Sequence, residues 1–356
     1  MTEGMLLHLR QLVECESPSS DLDACRRVVN LAVEISNQVL GIGAKCVDEE
    51  GRPIFWYGDP SPELVLLAHL DTVWPIGSFD PTWRVEDGFA KGPGIYDMKA
   101  GFLQALYALK EIDRNSVALI ATTDEETGSQ NSRALIERVS KEAKAVLVLE
   151  SAIDGKVKIG RKGTSMYSIS IHGRASHAGL EPEKGINATV EIAKIVNSLV
   201  ELEDLSLGTS VVPTVLRSGS TTNTVPALAT LEVDSRSYSM KEMERVKEEI
   251  LKLRPVHPEA RIEVTGGINR PPLEEKSTRN LYEKLEAVAN KIGMSPICAA
   301  VVGGASDGNF AGMHTEVLDG LGAVGSGAHA LTERVSISDL EPRTRLLTEF
   351  IKELLN

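Results

Sequence analysis

Apolar residues recur at helical spacing over residues 2–13 and 22–40, and then the pattern shortens. ELVLLAHL (63–70) is a brief apolar run of the kind carried by a strand buried on both faces. A Gly/Pro-rich stretch follows, then a helical pattern from Lys99 to Ile112 and a strand in SVALIATT (116–123). A helix over 132–144 and a strand in AVLVLE (145–150) complete the series. Strand–helix–strand succession of this type predicts an α/β fold: a mostly parallel sheet with helices on both faces.

The texture changes near residue 163. TSMYSISIHG (164–173) alternates apolar and polar positions, as a half-solvated strand does. A helix over 187–202, strands at 211–217 and 227–237, a charged helix at 241–253 and a strand at 261–265 suit a small α+β domain. GGINRPPLE (266–274) reads as a crossing linker, and helix–strand alternation resumes from 277, ending in a helix that begins near Ser338. The expected organisation is a discontinuous α/β domain over 1–162 and 273–356, with a smaller domain, 163–272, inserted.

The length of 356 residues fits two domains. With 42% hydrophobic and 25% charged residues the chain is neither collagen-like nor disordered. A net charge of −13 without a basic stripe argues against a nucleic-acid partner. Cys15, Cys25, Cys46 and Cys298 form no CxxC or Cys/His spacing, so neither a disulfide framework nor a thiolate zinc site is expected. The first residues, MTEGMLLHLRQLVE, lack the basic start and apolar stretch of a signal peptide. Apolar runs such as LVLLA and AVLVL fall far short of the ~20 residues that span a bilayer. The expectation is a soluble, cytoplasmic protein without a membrane partner.

The candidate chemistry sits at strand ends and in adjacent loops, where open α/β sheets bind ligands. His69 and Asp71 share the spacing in which one residue ligates a metal and the other fixes the imidazole from behind, though a His and an Asp at a strand end are more often plain polar groups. Asp97, in KGPGIYDMKAG, precedes a helical pattern, which is the place of an N-cap as much as of a ligand. Glu125 and Glu126 are adjacent and point in different directions: one suits a metal ligand, the other a general base, and both would also suit a solvated loop. Glu150 ends an apolar strand and needs a partner. His329 lies in a Gly-rich loop. Together His69, Asp97, Glu126, Glu150 and His329 form a sulfur-free set suited to zinc, cobalt or manganese. Five ligands exceed one tetrahedral zinc but fit two metals if one carboxylate bridges.

HLDTVWPIGSF, GPGIYDMKAG, TTDEETGS, GRASHAGLEPEKGINA, NTVPA and GGASDGNF, in that order, resemble the di-zinc aminoacylase/carboxypeptidase family of metallopeptidases. The wording is most similar to glutamate carboxypeptidases of the carboxypeptidase G type. The resemblance implies that His69 and Glu150 bind one zinc, Glu126 and His329 a second, and Asp97 bridges them. It further implies a cis peptide at Asp97–Met98, Asp71 orienting His69, and Glu125 as general acid/base on a water activated by the two ions. The inserted domain would form a homodimer and serve as a lid, bringing His177 into the partner's active site to polarise the scissile carbonyl. Asn223, Arg236 and Arg270 resemble substrate contacts, the arginines gripping a carboxylate, and the loop with Gly303, Gly304 and Ser306 would wall the pocket.

The implied activity is metal-dependent hydrolysis of an amide bond, releasing a glutamate-like C-terminal amino acid from a peptide or N-acyl conjugate. Glu150, rather than Asp, at the third acid position leans away from aminopeptidases. An N-acyl amino acid deacylase, of the acetylornithine or succinyl-diaminopimelate type, uses the same chemistry with another pocket. A non-catalytic ligand- or metal-binding homologue is the alternative of a different class.

Overall fold

The computed structural model describes residues 2–112, 115–294 and 296–356. The chain divides into two compact units: Met1–Gly160 with Leu273–Val302 and Ser306–Asn356, and Arg161–Pro272 with Gly303–Ala305.

The first unit is built on a six-stranded sheet in the order Lys45–Glu49, Arg52–Gly58, Val117–Thr122, Leu64–His69, Ala145–Val148, Glu316–Leu318. The first two pairings are antiparallel and the remaining three parallel. Alternate side chains of the same strands enter different cores, which is why these strands read as continuous apolar runs. Leu64, Leu66, Ala68, Leu119, Ala121 and Leu147 pack with the helices Thr2–Glu14, Leu22–Leu40, Ala100–Ala108, Arg279–Lys291 and Ile337–Leu355. Val65, Leu67, Ala118, Ile120, Val146 and Val148 pack instead with Leu135, Ile136 and Val139 of the helix Arg133–Glu142 and with Phe310. The sheet is therefore covered on both sides, and the fold class is the α/β one the sequence predicts.

The strand pairs that escaped the sequence reading include two in the first half of the chain. Lys45–Glu49 pairs with Arg52–Gly58, and Arg84–Glu86 pairs with Phe89–Lys91. In the first pair the outer strand is an exposed edge with no periodic burial while the inner one, Arg52–Gly58, is buried at five consecutive positions, and the second pair has only three residues per strand. Neither presents the alternation by which strands are recognised.

The second unit is a four-stranded antiparallel sheet in the order Ser210–Ser218, Leu228–Ser237, Gly163–His172, Arg261–Arg270. The helices Ala188–Val200 and Met240–Lys252 share a core with this sheet, where Ile192, Ile195, Leu199, Val246 and Ile250 meet Tyr167, Ile169, Ile171, Leu231 and Val233. The segment expected as a linker is corrected here: the last strand continues through Gly266 and Gly267 to Arg270. Gly266 has φ +96°, and a Cβ there would lie 2.1 Å from the carbonyl oxygen of Met166. The glycine marks a close strand approach, not the end of the strand.

Candidate metal centre

The strand Leu64–His69 ends at its histidine, whose ring is buried to 1% exposure. His69 Nδ1 lies 3.1 Å from the main-chain oxygen of Asp71 and 3.4 Å from Asp71 Oδ1, two acceptors that place the ring proton on Nδ1. Nε2 is then the nitrogen left to meet a cation. It is buried without a hydrogen-bond partner, and it faces Asp97 Oδ1 at 3.4 Å and Glu150 Oε1 at 3.6 Å. Asp71 is itself fixed: its Oδ2 accepts from Ser19 Oγ at 2.7 Å and from the N–H of Glu126 at 3.2 Å.

Asp97 does not cap the following helix. It lies within a wide turn, Ile95–Lys99, in which Lys99 N–H donates to Gly94 O (2.9 Å), and the helix begins at Ala100. Asp97 itself has extended dihedrals (φ −120°, ψ 88°), and the Asp97–Met98 peptide is cis. Gly94 opens the turn at φ +68°, where a Cβ would strike Thr72 Cγ2 at 2.3 Å. Asp97 Oδ1 thus faces His69, while Oδ2 lies 3.4 Å from His329 Nε2. His329 Nε2 also lies 3.2 Å from Glu126 Oε2. The loop carries His329 in the left-handed region at φ +58°.

Glu125 and Glu126 begin a single turn just after the strand Val117–Thr122. Glu125 is buried, and one donor atom from each of His69, Glu125 and Glu150 lies within 4.8 Å of the others. His69, Asp97 and Glu126 form a second such group. The structure therefore brings His69, Asp71, Asp97, Glu125, Glu126, Glu150 and His329 together. The two Asp97 oxygens face opposite ways, one to His69 and the other to His329. A buried imidazole nitrogen facing carboxylate oxygens fits two divalent cations with nitrogen and oxygen ligands.

The protonation pattern reports the same crowding of acids. Burial pulls His69 down, but Asp71, Asp97 and Glu150 outweigh it and raise its pKa well above the ordinary value. Asp97 and Glu126 draw His329 up to about 10. Burial and the neighbouring Glu150 charge push Asp97 up, yet its contacts with His329 and His69 leave it lowered. Burial, followed by the charge of Asp97, keeps Glu126 raised against the pull of His329. Positive charge is what this cluster lacks, and cations supply it.

Three supporting residues went unseen in the sequence. The buried Lys158 Nζ stands 3.4 Å from Glu150 Oε2, the oxygen not aimed at His69. Lys99 is fully buried, its Nζ donating to Leu12 O and Cys15 O, and burial drives its pKa to about 8. Glu333, also buried, accepts from four donors around Asp97; burial lifts its pKa to about 7 against them. None belongs to a periodic pattern that distinguishes it from a solvated charge. Beside Glu126 lies a cleft of about 500 Å³, lined among others by Ser19, Ser20, Thr72, Val73 and Ile76.

In the second unit, His177 is exposed on the short strand Ser176–His177. Its Nδ1 accepts from the N–H groups of Gly179 and Leu180, both at 3.1 Å, which leaves Nε2–H as a donor. Asn223 is exposed, and its carbonyl accepts from Ala178 N–H at 2.9 Å. Arg236 already has a carboxylate in its fork: Nε and Nη2 reach Asp234 Oδ1 and Oδ2 at 2.9 and 3.0 Å, and Nη1 reaches Gly303 O at 3.5 Å. Arg270 is buried. Gly304 O accepts from Arg161 Nη1 at 3.2 Å. Ser306, in the first unit, departs from its expected place on a pocket wall. It is fully buried and its hydroxyl donates inward to Asp319 Oδ2 at 2.7 Å.

The model of peptidase family M20/M25/M40 matches residues 65–353. Carboxypeptidase G2 of Pseudomonas sp. (strain RS-16) is 33% identical over 317 residues, covering 83% of this chain and 75% of that protein. A succinyl-diaminopimelate desuccinylase of Pelagibacter ubique is 24% identical over 358 residues, covering 89% and 92%. The crystal structure of aminopeptidase PepT from Bacillus cereus superimposes with a TM-score of 0.80 over 100% of this chain and 99% of that one, at 23% identity, a likeness of fold. The chain belongs to the M20/M25/M40 peptidase family and is a metallopeptidase.

Proposed function

We propose that this protein is a di-metal carboxypeptidase that hydrolyses an amide bond and releases a glutamate-like C-terminal amino acid from a peptide or N-acyl conjugate. The observation that carries the reading is the division of Asp97, with Oδ1 toward His69 and Oδ2 toward His329, beside the buried Glu125. The substrate class rests on the 33% identity to carboxypeptidase G2. His69 and Glu150 would hold one ion, Glu126 and His329 the other, and Asp97 both. Zinc suits this ligand set, with cobalt or manganese as substitutes. When bound, such ions lower the pKa of water and polarise a carbonyl oxygen.

The chain's own groups do the rest. Glu125, held in the cluster by its turn, takes a proton from the attacking water and returns it to the leaving amine. Asp71 keeps the His69 proton on Nδ1. His177, from the partner copy of a homodimer formed by the inserted unit, offers Nε2–H to the developing oxyanion. Arg270, Arg236 once exchanged from Asp234, Asn223 and the Gly304 loop are the proposed contacts to the substrate carboxylate and backbone.

The test is hydrolysis by zinc- or cobalt-loaded protein of folate-type glutamate conjugates, dipeptides, N-acetyl amino acids and succinyl-diaminopimelate. The glutamate conjugates are expected to turn over fastest. Glu125→Gln should lose at least ~10²-fold in kcat with metal content retained. A preference for N-succinyl or N-acetyl substrates would favour the deacylase reading. No hydrolysis of any substrate by the loaded protein would indicate a binding homologue, and an undiminished Glu125→Gln would remove Glu125 from the mechanism.

A further inference from the structure

The Glu333 carboxylate is almost inaccessible, at 1% exposure, yet it is surrounded by donors rather than by a basic side chain. Oε1 accepts from the N–H groups of Tyr96 (2.9 Å) and Asp97 (3.1 Å). Oε2 accepts from the N–H of Gly94 (3.0 Å) and from Trp74 Nε1 (2.9 Å). Three of these donors belong to the turn that presents Asp97, and the fourth comes from the loop following His69 and Asp71. Glu333 also closes the loop that begins at His329: its own N–H donates to Ala330 O, and Ala330 N–H donates to Gly327 O.

We infer that Glu333 is a positioning residue that sets Asp97 and His329 in register with each other. The inference rests on the di-metal reading above. A carboxylate carbon three bonds from its backbone nitrogen can be aimed only if that backbone is fixed, and the N–H of Asp97 ends on Glu333. The turn is irregular, so without the Glu333 oxygens the N–H groups of Gly94, Tyr96 and Asp97 would lack these acceptors in a largely buried setting. The same side chain lies four residues beyond His329, whose Nε2 meets Asp97 Oδ2 at 3.4 Å. Glu333 therefore grips one member of the Asp97–His329 pair through hydrogen bonds and the other through a short loop. The pair His69 and Glu150 is anchored separately, by Asp71 and Lys158. Disturbing Glu333 should thus weaken the ion on the His329 side more than the one on the His69 side.

Glu333→Gln is the informative change, because it keeps size and shape but turns an amide donor toward backbone donors. Zinc stoichiometry and affinity are measured by chelator competition on the folded full-length protein, with kcat and KM taken in parallel. The expected result is one site weakened by at least ~10-fold and the other, which shares Asp97 but keeps His69 and Glu150, weakened less. At a zinc concentration that fills both sites of the wild type, the variant then carries one ion. At that concentration kcat falls while KM stays within about threefold, since the substrate contacts are elsewhere. If Glu333→Gln fails to fold, Glu333→Asp, which keeps the charge but shortens the reach, provides the same comparison. Wild type binding two ions and a folded variant binding both with unchanged affinity would overturn the role of Glu333, leaving it a structural acceptor only. Wild type that never binds a second ion would instead overturn the di-metal reading itself.

Discussion

Replacing Asp71 by Asn is the most direct test of how the His69 imidazole is prepared. The change is nearly isosteric, and Asp71 is wholly buried, so solvent cannot fill in for what is lost. One carboxylate oxygen accepts from Ser19 Oγ and Glu126 N–H, and the other faces His69 Nδ1 at 3.4 Å. An amide can satisfy only one of these sides. If its NH₂ group turns toward Glu126, two donors collide and the Glu126 backbone is displaced. If it turns toward His69, the ring proton is favoured on Nε2, and the lone pair aimed between Asp97 and Glu150 is lost. The Asp71 main-chain oxygen at 3.1 Å still accepts from Nδ1, so the effect is partial and not complete. Partners of this kind are worth about 10–100-fold in metal affinity or activity, equal to about 1.4–2.7 kcal/mol. Chelator competition for zinc should show that loss, and kcat/KM should fall at least as far. A folded Asp71→Asn protein with zinc affinity and kcat/KM both within about twofold of wild type would refute the argument, because the main-chain carbonyl alone would then suffice.

Two further outcomes are expected. Arg343, buried in the helix Ile337–Leu355, donates to Gly322 O, Gly155 O and Gly320 O at 3.3, 3.3 and 2.9 Å, and burial lowers its pKa to about 10. Arg343→Met should cost about 3–5 kcal/mol in urea unfolding while leaving zinc affinity of the folded protein unchanged, since two buried carbonyls and a half-buried one lose a charged donor; a loss below about 1 kcal/mol would contradict this. If His177 acts across a homodimer, mixing His177→Ala with Glu125→Ala subunits should restore about a quarter of wild-type activity, because half the dimers are mixed and one of their two sites is intact. No recovery after subunit exchange, followed by native mass spectrometry, would exclude action in trans.

The parallel strands of the first unit were legible because a strand covered on both faces has no polar side to interrupt it. Val65 and Leu66 face different cores and both are apolar. The strand Lys45–Glu49 was not, because it is a solvated edge, whereas its partner Arg52–Gly58, buried at five consecutive positions, carries a comparable apolar run that was overlooked. The Gly266–Gly267 pair misled for a related reason: glycine signals a turn in sequence, whereas here it admits the Met166 carbonyl of a neighbouring strand. The candidate ligands stood out because they lie at or just beyond strand ends. His69 closes its strand, Glu125 and Glu126 follow Thr122 by a few residues, and Glu150 follows Val148 by two.

What the sequence did not reveal is how each of these groups is held, and the reason is distance along the chain. Asp71 is fixed by Ser19 and Glu126, 52 and 55 residues away, and the Asp97 backbone by Glu333, 236 residues away. Motif spacing is local, so it can name a ligand but not the partner that aims it. Lys158 is only eight residues from Glu150 and was still missed, because a lysine in VKIGR looks like any edge-strand charge until the fold buries it. A carboxylate with one oxygen facing the cluster and its other oxygen or backbone tied down has little freedom left to lose when a cation arrives. Asp71, Asp97 and Glu150 all follow that arrangement, with a hydroxyl, a glutamate and a lysine as the respective anchors. The anchors differ in chemistry yet act alike, so the property that matters for this centre is fixed ligand direction, and it is set by tertiary contacts that no short motif contains.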